Sequence, residues 1–192
     1  MLRNSELNYG LIARTLHWFT ALLFLCSYVS VYYRHWFTEY ETPANFTARD
    51  LHLSVGITIG VLVLLRVIWT LSNKHPRPAP GSRLAQRAAS WGHAALYVIL
   101  IGMPLTGYMG TGINTNWFFL FEVPRFADTQ LFKTVVDGWM GLTFDEIEPY
   151  LDFTHMKGGA TIVWMLIVGH ICAALYHHYV LRDRTLIKMT TG

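Results

Sequence analysis

Hydrophobic residues fall into four long runs, at roughly 13–33, 53–72, 91–110 and 158–180, separated by polar stretches. A bilayer's hydrocarbon core takes about twenty helical residues at about 1.5 Å of rise each, which is the length of each run. The last is the cleanest: between Lys157 and Arg182 there is no Asp, Glu, Lys or Arg. Continuous apolar runs of this length predict helices, because a chain in lipid must satisfy its own backbone N–H and C=O groups. Trp18, Tyr32, Tyr33, Trp36, Trp69, Trp91, Tyr176 and Tyr179 cluster at the run ends, as interfacial aromatic belts do. Pro104 predicts a kink in the third run, and the second has no such breaker. The pattern predicts an all-α integral membrane protein, a four-transmembrane-helix bundle forming a single membrane domain over 1–192, without internal repeats.

Composition agrees, with 53% hydrophobic and 14% charged residues, the latter well below the soluble norm of about 25%. Charge placement sets the orientation. Arg3 and Arg14 precede or open the first run, the 73–90 loop carries Lys74, Arg77, Arg83 and Arg87 with no acid, and the tail sets Arg182, Arg184 and Lys188 against Asp183. The opposite side has Arg34 and Arg49 against Glu39, Glu41 and Asp50 in its first loop. Its second segment, 111–154, sets Arg125 and Lys133 against seven acids, a net −5. The positive-inside rule therefore places both termini and the 73–90 loop in the cytoplasm, with the chain in a plasma membrane. The basic residues lie in short loops and form no stripe, so no nucleic-acid partner is expected. Cys26 and Cys172 sit inside apolar runs and read as buried small hydrophobes, without a disulfide framework. No cleavable signal peptide is expected, since the first run lacks a small-x-small site at its end. The prolines Pro76, Pro78 and Pro80 with Gly81 mark the 73–90 loop as a turn-rich connector. Segment 111–154 is too long for a connector, and with Trp117, Phe118, Phe119 and Phe121 it is expected to fold over the outer face.

The candidate chemistry lies in nine histidines. His17 and His170 fall near the inner ends of their runs, and His52 and His155 open theirs from outside. His155 and His170 are about 22 Å apart along one helix and within roughly 60° of the same face. Ionisable groups in a membrane are costly and mark function by default, although one interfacial histidine is more often structural. Four at paired depths on three helices suit stacked haems, because two neutral imidazoles saturate a haem iron for electron transfer. Small residues lie near each: Ala13 and Ala21, Gly56, Gly158 and Gly159, Ala173 and Ala174. His93 lies at the depth of His17, and spacing alone does not choose between them. His177 and His178 lie at the inner surface, facing water, haem propionates or a quinone headgroup, while His35 and His75 are expected to be solvated. The rival from another class is a haem-free histidine-based metal-binding or transport membrane protein, whose ligands would meet at one midplane site.

Arg14-Thr-Leu-His17-Trp18, His52-Leu-Ser-Val-Gly56, Leu65-Arg66-Val-Ile-Trp69 and the Pro76-Arg-Pro-Ala-Pro80 turn carry a resemblance. So do Gly92-His93, Met103-Pro104-Leu-Thr-Gly107 and the ending from His170 through His177-His178-Tyr179 to Arg182-Asp183-Arg184-Thr185-Leu186. Over nearly its whole length the chain resembles the bacterial cytochrome b561 family of four-helix dihaem membrane cytochromes. The wider superfamily, which resembles the membrane anchors of hydrogenases and formate dehydrogenases, shares its four-ligand logic. The resemblance implies two haem b, with His17, His52, His155 and His170 as axial ligands of the haem iron and His93 beside them. Two departures stand out: the His155–His170 spacing is one residue longer, which a helix bulge at Gly158-Gly159 would absorb, and segment 111–154 is longer and more acidic.

Arg66 lies about 21 Å inward of His52 on nearly the same face. It is placed either to pair with a propionate or quinone oxygen or to snorkel to the cytoplasmic interface. Arg14, Arg49 and Lys157, each within three residues of a ligand position, are candidates for propionate contacts, and His177 for a propionate or quinone contact. The function expected is electron transfer across a bacterial plasma (inner) membrane between an outer donor, a small molecule or basic protein, and the quinone pool. Some family members are superoxide:quinone oxidoreductases, so the resemblance leaves an oxidoreductase of that type beside a pure carrier. The latter would be a cytochrome b subunit of a larger dehydrogenase complex. Lipid and quinone are the other expected partners, and oligomerisation is open.

Overall fold

The computed structural model describes residues 1–191. Its helices are α1 (Leu11–Phe37), α2 (Pro43–Ser72), α3 (Arg83–Gly110), α4 (Phe144–Lys157), α5 (Trp164–Tyr179) and a short α6 (Thr185–Thr190). Four helical rods are long and apolar enough to cross a membrane, the fourth being α4 and α5 in one 36-residue rod, Phe144–Tyr179. Helices outrun the apolar windows because a rod need not stop at the lipid. Thus α2 starts at Pro43, ahead of residue 53, where the Thr42 hydroxyl caps the Asn45 amide and Pro43 fills the first turn. Ser82 caps α3 in the same way, and α3 runs unbroken through Pro104. His35 accordingly lies in the last turn of α1 and not in a loop, exposed as expected.

The core is narrow, as expected where lipid covers the outer faces. Val55, Ile59 and Val63, one turn apart on α2, form a buried stripe packed by Leu23, Phe24, Val67, Leu100 and Phe118. At its outer end α2 is tied to α1 by Arg34 Nε donating to Asn45 Oδ1 at 3.1 Å and Asn45 Nδ2 donating to Thr38 Oγ1 at 2.9 Å. At the inner end the termini and the connector interlock. Asn4 Nδ2 donates to the Lys74 carbonyl at 2.9 Å, Arg77 pairs with Glu6 at 2.5 Å, and Lys188 Nζ donates to the Arg77 carbonyl at 2.8 Å. Both termini and the 73–90 loop therefore share one face of the bundle. Cys172 is exposed on the outside of α5 and Cys26 is half-buried, so the expectation of two buried thiols fails for Cys172.

Between α4 and α5 the rod passes through a π-helical turn, Gly158–Val163. One extra residue is thereby taken up without breaking the helix. Widened turns leave carbonyls short of partners, and here Tyr28 Oη donates to the Gly159 carbonyl at 2.8 Å. A Cβ at Gly159 would come within 3.2 Å of Met103 Cε, so glycine also permits the approach of α3.

Segment 111–154 does fold over the outer end, with structure the hydrophobic pattern did not resolve. A hairpin pairs β1 (Thr115–Trp117) with β2 (Phe121–Val123), antiparallel, Trp117 opposite Phe121. A π-helical segment, Phe132–Trp139, follows, and Phe126, Phe132 and Val136 form a second small core against Tyr108, Met109, Leu142, Phe144 and Ile147. The turn at the hairpin tip holds Phe118 and Phe119 at φ +44° and +62°. Left-handed backbone costs a residue with a Cβ about 1–2 kcal/mol, so this turn is strained at both positions.

Candidate functional site

Two histidine pairs form, at two depths. In the outer pair His52 on α2 faces His155 on α4, ring centroids 6.1 Å apart. His52 Nδ1 lies 3.1 Å from the Ser27 carbonyl and 3.0 Å from the Ser27 hydroxyl, while His155 Nδ1 lies 3.0 Å from the Met103 carbonyl. A carbonyl only accepts, so each Nδ1 carries the proton and each Nε2 keeps its lone pair for a metal. Gly107 completes the seat of His155: a Cβ there would stand 2.7 Å from His155 Cε1 and 2.9 Å from Nδ1.

In the inner pair His17 on α1 faces His170 on α5, again with centroids 6.1 Å apart, and His93 on α3 stands 5.9 Å from His170 on another side. Arg66 turns inward and does not snorkel: Nη2 lies 3.0 Å from His17 Nδ1, and Cζ stands 5.5 Å from the Tyr97 ring centre. A guanidinium only donates, so His17 Nδ1 accepts, and a neutral His17 carries its proton on Nε2. The two pairs therefore share a spacing and differ in what holds Nδ1.

The spacing tests whether a haem iron fits. Iron about 2 Å from each of two ring nitrogens, each about 1 Å from its ring centre, puts the centres about 6 Å apart. Both pairs meet that, as does His93 with His170 at 5.9 Å; the outer pair offers two free Nε2 lone pairs, while His17 offers its Nε2 only once its proton or its bond to Arg66 is given up. Beside the outer pair, a Cβ at Gly56 would meet no heavy atom within 4 Å, leaving room for a flat group one turn from His52. Gly158 and Gly159 face Met103 and serve helix packing instead. Among the described residues no group of three or more His, Cys, Asp or Glu is arranged to hold a bare metal ion.

The other candidates are placed as follows. Arg49 pairs with Asp50 at 2.9 Å and stands over Phe46, so its charge is already met. Lys157 is exposed. Arg14 Nη1 donates to the Thr190 carbonyl at 2.9 Å, which docks α6 on α1, and its Nε is buried without a partner. His177 Nδ1 lies 2.5 Å from Asp183 Oδ2 at the inner surface, and the Thr185 amide donates to Asp183 Oδ1 at 2.7 Å. Burial pushes the Asp183 carboxyl up, but the bonds from His177 and Thr185 outweigh it and hold the group below its ordinary range. The histidine pattern alone points to neither Ser27 nor Tyr97. Met103 and Gly107 stand out as part of Met103-Pro104-Leu-Thr-Gly107, and the structure shows that this motif seats His155.

A family model described as prokaryotic cytochrome b561 matches residues 8–192. The chain is 28% identical to cytochrome b561 homolog 1 of Escherichia coli (strain K12), covering 91% of this chain and 92% of that protein. It is 28% identical to cytochrome b561 homolog 2 of the same organism, over 97% and 93%. Against the probable superoxide oxidase CybB of Yersinia pestis it is 26% identical, over 94% of each chain.

Proposed function

Because the chain belongs to the prokaryotic cytochrome b561 family of bacterial membrane electron-transfer proteins that bind b-type haem, we propose that it is a dihaem cytochrome of the inner membrane. It passes electrons between an outer donor and the quinone pool. The observation that carries this reading is the pair of equal 6.1 Å imidazole gaps at opposite ends of the bundle.

In this reading His52 and His155 hold the outer haem, and His17 and His170 the inner one. The haems supply the one-electron carriers. The protein's own residues position and tune. Ser27 and Met103 hold the Nδ1 protons of the outer imidazoles and fix both ring planes. At the inner site His17 binds a metal through Nε2 only by releasing that proton or by giving up its bond to Arg66. In the second case the guanidinium is free for an anionic propionate or a quinone oxygen, and His93 flanks His170. The exposed Lys157 and, once unpaired from Asp50, Arg49 are the outer counterparts.

A second reading, a superoxide:quinone oxidoreductase, is favoured by the name of the Yersinia pestis relative. The net −5 of segment 111–154 weighs towards a neutral or basic donor, because an acidic surface repels an approaching anion. The deciding assay is a pyridine haemochrome count on the purified protein and on His52→Ala. Two haems in the parent and one in the variant are expected. One haem in the parent, or an unchanged count in His52→Ala, would overturn the assignment.

A further inference from the structure

The hairpin Thr115–Val123 does not stand above the bundle as a connector would. Trp117 Nε1 donates to Thr58 Oγ1 at 3.2 Å, the Phe118 amide donates to Ser54 Oγ at 2.9 Å, and the Phe118 ring packs on the Val55–Ile59–Val63 stripe. Ser54 and Thr58 follow His52 on an inward-running helix. At about 1.5 Å per residue the tip therefore lies roughly 3–9 Å deeper than the outer histidine pair.

At that depth its outward side chains are apolar and uncovered: Phe119 is 59% exposed, Leu120 74% and Phe121 56%. The helix the hairpin packs against, α2, exposes Val61 and Leu64 further along as well. A chain entering hydrocarbon must leave no backbone donor free. The tip meets this condition, since the Phe119 amide donates to the Asn116 carbonyl at 3.3 Å, the Leu120 amide to the Trp117 carbonyl at 2.9 Å, and the Phe118 amide to Ser54. Polar groups are kept to the base. There Asn114 donates to Glu122, the Arg125 amide donates to Asn114 Oδ1 at 2.8 Å, and Arg125 pairs with Asp128 at 3.0 Å.

The geometry points to a membrane wedge: we propose that Phe119, Leu120 and Phe121 insert among the acyl chains of the outer leaflet beside α2 and pin segment 111–154 over the outer histidine pair. Lipid is the occupant that fits a hairpin apolar at its tip, charged at its base and packed against a lipid-facing helix. The wedge also explains an aromatic residue at the strained Phe119 position, where glycine or asparagine would relieve the backbone and lose the membrane contact. An acidic segment has no electrostatic attraction to an anionic lipid surface, so an apolar tip is the means of holding it there.

The test is a nitroxide label at Leu120→Cys, with Cys26→Ser and Cys172→Ser, in haem-loaded protein reconstituted into phosphatidylcholine–phosphatidylglycerol vesicles. Collision rates with oxygen and with a water-soluble nickel chelate are compared with labels at Val61 and Gln130. Leu120 should behave like Val61, oxygen-accessible and chelate-protected. A chelate-dominated label, as at Gln130, would place the tip in water and overturn the proposal. Protection from both reagents would also overturn it, showing a second copy or another protein on the tip. A second measurement uses Phe119→Asp with Leu120→Asp, checked for an unchanged haem spectrum. Tryptic cleavage after Lys133 should become severalfold faster, and an unchanged rate would refute the pinning.

Discussion

Gly107→Ala is the smallest change that should disable one end of the electron path. The added methyl would stand 2.7 Å from His155 Cε1, 2.9 Å from Nδ1 and 3.3 Å from Nε2, too close for any real Cβ to sit. The ring cannot simply slide, because its Nδ1 is bonded to the Met103 carbonyl at 3.0 Å on the same helix that carries the glycine. Either α3 and α4 part, at the roughly 1–3 kcal/mol usual for overpacking, or the ring swings off its acceptor and loses a bond worth about 0.5–1.5 kcal/mol. At about 1.4 kcal/mol per decade these losses weaken haem retention at the outer site roughly twofold to a hundredfold. The assay is haem content and low-temperature visible spectrum of protein purified in parallel with Gly102→Ala, a position whose added Cβ meets nothing within 4 Å. Gly107→Ala should lose or shift the outer haem's bands and keep the inner ones, while Gly102→Ala matches the parent. Unaltered content and bands in Gly107→Ala would refute the seating of His155.

Orientation and donor are checked separately. Single cysteines at Ser82 and Thr143, in a cysteine-free background, should label from opposite sides in intact cells. Modification of Ser82→Cys by an impermeant reagent from outside would reverse the assignment of cytoplasmic termini. Haem reduction by pulsed superoxide should be well below the diffusion limit and should not fall with salt, because the acidic segment repels the anion. A near-limiting rate that falls steeply with ionic strength and collapses in Lys157→Ala would show steering by the rim instead.

The four rods and the two pairs were legible in the sequence because both rest on side-chain letters at helical spacing. Apolar runs give depth, and depth sorted His52 with His155 and set His17 and His93 alike beside His170, the choice of His17 coming from the family resemblance. The π turn at Gly158–Val163 was legible for a different reason: one residue too many between His155 and His170 has to be absorbed, and two glycines mark the weak point. What stayed hidden depends on backbone groups, which have no letter. The Ser27 and Met103 carbonyls orient the outer imidazoles, yet nothing in a serine or methionine announces an acceptor. The hairpin was hidden by its own shortness, since three-residue strands leave no period to detect and Phe118-Phe119 is not a turn signal. His93 shows the limit of depth itself, for it reaches the inner site beside His170 as closely as His17 does.

The contrast between carbonyl and guanidinium at Nδ1 predicts which way electrons run. An Nδ1–H donating to a carbonyl makes its imidazole a stronger donor and favours oxidised iron, which lowers the potential of the outer site. Arg66, which stands 3.0 Å from His17 Nδ1 here and stays beside the ring when that bond is given up, sets a permanent positive charge at the inner site, which favours the reduced, less positive iron and raises the inner potential. A unit charge about 6 Å away at an effective dielectric of about 20 contributes roughly 3 kcal/mol, on the order of 100 mV for one electron. The inner midpoint should therefore lie above the outer, so that electrons fall inward, from the acidic face towards the cytoplasmic one. A spectroelectrochemical titration of the parent should resolve two one-electron waves, and Arg66→Met should move the upper one down by about that amount while leaving the lower in place. If Arg66→Met shifts the lower wave, or neither, the guanidinium does not tune the inner site and the inward gradient has another cause.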